Sequence, residues 1–319
     1  MSNLSFSLKS WVLYDKGKTG TRAQCEGLAS LLGLSPQYIE ISTSWLWRLL
    51  PPRLRLFPLK TTHPRLEAPW PDLIIGAGRA TVAPCMALKR QLGNAVKVIQ
   101  LMDPCVDPSF FDLVIAPHHD QLTGPNVIQT LGTLHALKRE VLEVEKEILR
   151  PHIAHLPPPY SVLLLGGPTR RYDFNIQILQ NMMQALRHLV SQTKGSLLIA
   201  PSRRTPPVLI DVLLRLVQEI PHFISGAYYK GFLAVAEQIL VTCDSISMLS
   251  EACFTGKPVY IYPLPGKAGK FELFYQKLIE RNHARLFSGS FSPFSPVVLD
   301  QSDCLKEQIE SYFKGDLSH

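Results

Sequence analysis

No uninterrupted apolar run in this chain approaches the roughly 20 residues that a membrane-spanning helix requires. The opening stretch, Met1 to Ser10, is polar and lacks the apolar centre of a secretory signal. These two absences predict a cytoplasmic protein that at most docks on the inner face of a membrane from one side. The six cysteines (Cys25, Cys85, Cys105, Cys243, Cys253, Cys304) form no Cys-x-x-Cys pair and no regular framework. That usage fits buried thiols in a reducing compartment and supports neither a disulfide scaffold nor a zinc site. The Gly-x-Gly-x-x-Gly dinucleotide pattern and the full P-loop pattern are both missing, so no nicotinamide cofactor is expected. Also missing is the Asp-x-Asp pair that grips a metal diphosphate. No basic tail and no nucleic-acid motif is present, so nucleic acid is not an expected partner. There is no internal repeat and no low-complexity segment.

What is there reads as a folded α/β chain. Hydrophobic residues make up 46% of 319 and charged ones 18%, which excludes disorder. The formal net charge of +7 favours anionic partners such as phosphates or an anionic membrane surface. Short apolar runs alternate with longer helical patterns, the signature of parallel α/β units. Strands are predicted near 11–14, 37–41, 72–75, 96–101, 112–116, 127–130, 161–165, 196–200, 222–225, 238–242 and 258–261. Helices are predicted near 21–32, 80–92, 139–149, 175–191, 206–219, 231–237, 247–254, 270–281 and 304–313. Three consecutive prolines in HIAHLPPPY, His152 to Tyr160, suit a stiff extended link. The expected organisation is two Rossmann-like domains facing a cleft. Residues 1–152 form the N-terminal domain and 160–300 the C-terminal one, with a C-terminal helix in 301–319 packing back on the first.

In such sheets ligands bind outside the strand C-termini, so the polar turns carry the function. The richest stretch is QILVTCDSISMLSEACFTGKPVYIYPL, Gln238 to Leu264. A strand ends in a polar turn, and a helix begins at once. Backbone N–H groups with Ser245 and Ser247 then sit at a helix N-terminus, where a phosphate binds readily. Met248 lies in the same first turn. Glu251 shares a face with Ser247, four residues on, and can accept from ribose hydroxyls. Ordinary capping explains the serines equally well. Gly166, Gly167 and Thr169 follow another strand, and paired glycines there can turn N–H groups toward a phosphate. Ser202, Arg203 and Arg204 follow a third strand, where two arginines can neutralise a diphosphate. Tyr228 and Tyr229 can stack on a base or pack between helices. Lys267 and Lys270 follow the next strand end and can sit over donor phosphates.

The first half offers candidate bases. Asp15 closes the first strand beside Gly17 and Gly20, with Gln24 nearby. His118 and His119 follow a later strand. Gly76, Gly78 and Arg79 form one more polar turn. Each also reads as an ordinary loop. A separate segment, SWLWRLLPPRLRLFPLK, residues 44–60, mixes Trp, Leu and Phe with arginines and has no acidic residue. That composition suits an anionic membrane interface, although two central prolines disfavour one long amphipathic helix.

The runs PDLIIGAGRAT, QLMDPCVDPSFFDLVIAPHHDQLTGPNVIQTLGTLH, LLLGGPTRRYDF, SRRTPP and VTCDSISMLSEACFTGKPVYIYPL resemble the mitochondrial-fission Elm (elongated mitochondria) family, over about residues 10–285. Its bacterial members look like GT-B glycosyltransferases. The resemblance implies a nucleotide-diphospho-sugar donor held by the C-terminal domain, with Ser245, Ser247 and Glu251 lining its site, and an acceptor held by the N-terminal domain. Plant members recruit a dynamin-like GTPase to mitochondria. The leading expectation is a metal-independent GT-B glycosyltransferase acting on a lipid-linked or cell-envelope acceptor, with the donor as substrate and no further cofactor. Gly166, Gly167, Arg203, Ser245 and Ser247 would hold the donor phosphates, and Asp15, His118 or His119 would be the base. A non-catalytic membrane scaffold and a nucleotide-sugar epimerase on the same fold are the alternatives.

Overall fold

The computed structural model describes residues 8–43, 54 and 58–316. The chain divides into two compact units, Met1–Ala136 with Gln301–His319, and Leu137–Asp300. Each is built on its own sheet.

In the first unit the strands are β1 (Ser10–Asp15), β2 (Gln37–Thr43), β3 (Thr62–His63), β4 (Leu73–Ala77), β5 (Lys97–Leu101), β6 (Leu113–Pro117) and β7 (Val127–Thr130). They lie in the order β3-β2-β1-β4-β5-β6-β7, all parallel except for the two-residue β3. Helix α1 (Thr19–Leu31) follows β1, and α2 (Arg79–Leu92) follows β4. Both sheet faces are buried, as β1 shows. Trp11 and Leu13 belong to one apolar cluster, and Val12 and Tyr14 to the other. That is the period-2 alternation of a strand covered on both sides. The second cluster also contains Leu305 and Ile309. These are four residues apart on the C-terminal helix Ser302–Asp316, so one helix face supplies both. Just before that helix, the Gln301 amide accepts from Leu131 N–H at 2.8 Å and donates to Leu131 C=O at 2.7 Å.

The second unit has β8 (Tyr160–Leu165), β9 (Ser196–Pro201), β10 (His222–Ile224), β11 (Gln238–Thr242), β12 (Val259–Tyr262) and β13 (Arg285–Leu286). Their order is β10-β9-β8-β11-β12-β13, every pair parallel. The strand order therefore reverses between β8 and β11, which is where open α/β sheets bind ligands. The helices are α3 (Arg139–Ile153), α4 (Ile176–Thr193), α5 (Pro207–Leu216), α6 (Tyr229–Val235), α7 (Ile246–Phe254) and α8 (Phe271–Glu280).

The boundary between units falls after Ala136, ahead of the prolines at 157–159. Helix α3 belongs to the second unit because it packs on α6. Gly231 makes the approach close enough that a Cβ there would lie 2.9 Å from Glu145 C=O. The 152 boundary expected from the proline run is thus displaced. Those prolines follow a helix that already belongs to the second unit. The short strands β3 and β13 were not expected. They are two-residue edge pairings too brief for a hydrophobic period. Of the 44–60 segment, residues 44–53 and 55–57 lie outside the described residues, and Pro58–Thr61 forms one helical turn. Among the described residues no helix is long and apolar enough to cross a membrane.

Candidate functional site

The second unit collects four polar turns on the C-terminal edge of its sheet. They follow β8, β9, β11 and β12 and are tied to one another. After β8, Gly166 N–H donates to Thr242 Oγ1 at 2.8 Å, and Gly167 N–H donates to Asp244 Oδ2 at 3.1 Å. The same Oδ2 lies 2.7 Å from Arg204 Nη2. The Asp244 side chain is fully buried, and its Oδ1 has no hydrogen-bond partner among the described residues. Both glycines are required by space. A Cβ on Gly166 would sit 2.1 Å from Asp244 Oδ1, and one on Gly167 would sit 2.1 Å from Arg204 C=O. The expectation that Gly166 and Gly167 turn their N–H groups toward a phosphate is therefore corrected. Thr242 and Asp244 accept from them, because buried backbone donors need partners within the protein.

The turn after β9 is stitched by its own hydroxyls. Ser202 N–H donates to Thr205 Oγ1 at 3.0 Å, Ser202 Oγ accepts from Arg204 N–H at 3.2 Å, and Thr205 Oγ1 donates to Gly166 C=O at 2.6 Å. Ser202 and Thr205 hold the turn, and the exposed Arg203 and Arg204 project from it. Thr169 likewise serves its own loop. Its hydroxyl accepts from Arg171 N–H and Tyr172 N–H, both at 3.1 Å. That loop pairs with the turn after β12 through a bridge between Tyr172 and Gly266. Tyr172 and Tyr275 share a hydrogen bond at 2.9 Å, and Tyr275 donates to Cys243 C=O. Burial pushes the Cys243 thiol up to about 11, so it stays protonated at neutral pH. Lys267 and Lys270 are exposed on the turn that follows β12.

Helix α7 starts beside these turns. Ser245 is its N-cap, and its Oγ accepts from Met248 N–H at 3.4 Å. The capping reading of Ser245 is thus realised. The first intrahelical bond runs from Leu249 N–H to Ser245 C=O at 3.1 Å, so the N–H groups of Ile246 and Ser247 precede it. Ser247 and Met248 are half-buried. Further along α7, Glu251 Oε2 accepts from Tyr229 Oη at 2.5 Å. Burial raises the Glu251 carboxyl above its usual value, while the Tyr229 bond and nearby Lys230 oppose the rise. Burial also lifts the Tyr229 phenol well above its usual value, with the Glu251 charge adding to it, so Tyr229 remains the donor. Tyr228 is turned elsewhere. Its ring lies 4.5 Å from that of His152, and its hydroxyl is 2.7 Å from His152 Nε2.

In the first unit the candidate bases do not converge. Asp15 Oδ1 accepts from Ala80 N–H at 2.8 Å, so its carboxylate caps α2 from the neighbouring strand. Gly78, at φ +95°, leaves room for it, since a Cβ there would sit 2.8 Å from Asp15 Cγ. His118 and His119 lie in a short turn after β6, separated from β1 by β4 and β5. At about 4.8 Å per strand that is on the order of 14 Å. His119 is buried, with Nε2 3.8 Å from Asp120 Oδ1, and His118 is half-buried. Gln24 is buried, with its amide 3.8 Å from Met102 Sδ. Gly17-Lys18-Thr19 opens α1 in the manner of a P-loop, but the glycine required five residues earlier is Val12, inside β1. Among the described residues no group of three His, Cys, Asp or Glu side chains is placed to hold a metal ion.

Sequence reasoning missed Asp244 as the residue that ties the turns after β8, β9 and β11 together. The signal was available, since an acid directly after an apolar strand must be paired if buried. The Tyr172–Tyr275 contact spans 103 residues and left no sequence signal.

A Listeria monocytogenes protein assigned as a UDP-N-acetylglucosamine 2-epimerase superposes with a TM-score of 0.59 at 13% identity, over 96% of this chain and 88% of that one. The UDP-GlcNAc 2-epimerase of Methanocaldococcus jannaschii, in complex with UDP-GlcNAc and UDP, gives 0.51 at 13% identity over 96% and 92%. At such identity the likeness is one of fold, the two-domain α/β fold of GT-B type. The uncharacterised protein RP120 of Rickettsia prowazekii is 28% identical over 331 residues, 88% of this chain and 91% of that one. The mitochondrial fission protein ELM1 of Arabidopsis thaliana is 28% identical over 251 residues, 70% of this chain but only 58% of the plant protein. The model of the family described as Mitochondrial fission ELM1 matches residues 19–312, and the chain belongs to that family.

Proposed function

We propose that the second unit binds a nucleotide-diphospho-sugar at the C-terminal edge of its sheet, and that the protein transfers the sugar to an acceptor without a metal. The observation that supports this reading most is the bond from Tyr229, at the start of α6, to Glu251 on α7, the helix that begins at the strand-order reversal. A half-buried carboxylate held at 2.5 Å by a phenol keeps its other oxygen oriented for a ribose hydroxyl. One turn earlier, the N–H groups of Ile246 and Ser247 and the Ser247 hydroxyl offer donors to phosphate oxygens. Arg203, Arg204 and Lys270 supply positive charge from neighbouring turns. In the transfer, the bond from sugar C1 to the diphosphate oxygen breaks, a bond from C1 to the acceptor oxygen forms, and the acceptor proton passes to a base. The diphosphate leaves with the bonding electrons, and preoriented N–H groups and guanidinium groups stabilise that charge. Asp15, His118 and His119 are the candidate bases. Fold neighbours whose structures hold UDP-GlcNAc and UDP agree with this ligand class.

Calorimetric titration with UDP-, GDP-, ADP-, TDP- and CMP-linked sugars tests the reading. One class should bind saturably, and Glu251→Gln should weaken it severalfold while leaving the melting temperature near that of the wild type. Unchanged affinity in Glu251→Gln removes that residue from the site. Sugar turnover without acceptor would favour an epimerase. The family match supports a second reading, a membrane-associated scaffold that recruits a partner. Retained binding to vesicles with no binding to any nucleotide would favour it.

A further inference from the structure

The Asp244 carboxylate is the best-buried charge in the candidate site, and the donor reading gives it no role. It lies one residue before the N-cap of α7, at the positive end of that helix. It takes Gly167 N–H at 3.1 Å and Arg204 Nη2 at 2.7 Å, two donors of the kind a phosphate uses. Its side chain is fully buried, and Oδ1 has no partner among the described residues. Gly166 packs directly against Oδ1, so the carboxylate is fixed in place. An uncharged amide of the same shape would keep the Gly167 contact, so holding the turn does not by itself require a negative charge here.

We propose that Asp244 is an internal counter-anion that weakens the grip of this site on nucleoside diphosphates. The inference rests on the donor reading above. Asp244 positions Arg204 and neutralises part of the field that Arg204 and the α7 N-terminus would offer a ligand. A diphosphate entering beside it meets like charge in a poorly screened setting, where such terms are larger than in water. The consequence is fast departure of the product diphosphate, and product release limits many well-evolved enzymes.

The test compares wild type with Asp244→Asn by calorimetric titration of UDP, inorganic pyrophosphate and uridine, with melting temperatures recorded in parallel. UDP and pyrophosphate should bind about tenfold tighter to the variant, and uridine should be unaffected. A purely structural role predicts the opposite sign, because a disturbed turn binds less well. Equal or weaker UDP binding by the variant, with UDP bound by wild type, overturns this inference and leaves the donor reading standing. Binding by neither protein overturns both. Should Asp244→Asn not fold, Asp244→Ser, which still offers an acceptor to Gly167, is expected to show the same tightening. Failure of both to fold assigns the charge to the fold and overturns the proposal.

Discussion

In each unit a carboxylate reaches across from one strand end to the turn of its neighbour. Asp15, the last residue of β1, accepts from Ala80 beyond β4, and Asp244, after β11, accepts from Gly167 beyond β8. Both link the two strands that flank the reversal in strand order. For Asp15 the contact is a helix cap supplied from another element, since the N-cap residue of α2, Gly78, has no side chain to offer. Asp15→Ala should therefore cost about 1–2 kcal/mol in urea unfolding, with Asp15→Asn costing less. A loss of activity in Asp15→Ala has to be read against that loss of stability. Glu251 gives a prediction with a sign. Burial raises its folded-state value above 4.5, so the folded protein holds that proton to higher pH than the unfolded chain does. The stability of wild type relative to Glu251→Gln should fall as pH rises from 4.5 through the folded-state value, and level off above it. Denaturant midpoints between pH 4 and 8 check this, and a rising difference would contradict it.

At the scale of elements, the strands of both sheets other than the two-residue β3 and β13 were legible because buried parallel strands are near-continuous apolar runs, as in YSVLLL and QILVT. Helix α7 was legible from Ser245 ahead of it and Gly256 behind it. The unit boundary was not legible, because a proline run marks stiffness and not where packing changes. What assigns α3 is Gly231 on α6, nearly eighty residues after α3 ends. The site was legible as a set of turns, and its wiring was not. Paired glycines after a strand suggest open N–H groups, and only the fold reveals that Thr242 and Asp244 already accept from them. The C-terminal helix carries a further prediction. Leu305 is buried in the same apolar cluster of the first unit as Val12, Leu28 and Ile75. Leu305→Ala should cost about 2–5 kcal/mol, read as early loss of the first unit's protection in hydrogen exchange.

For the whole molecule, the scaffold reading proposed above would use the net charge of +7 and the acid-free segment 44–60 in a peripheral contact with anionic membrane. Replacing Arg53 and Arg55 by glutamate should abolish co-sedimentation with vesicles rich in phosphatidylserine, leaving nucleotide-sugar affinity unchanged. Unaltered sedimentation would dismiss that contact. The first unit is drawn from both ends of the chain, and the second is a single uninterrupted stretch. A ribosome delivers residues in order, so β1 to β7 emerge long before Leu305 and Ile309, which complete one face of their sheet. During translation the second unit can finish first, while the earlier-made sheet keeps an uncovered apolar face until the last helix arrives. That interval is when the nascent protein is most exposed to aggregation and to chaperones.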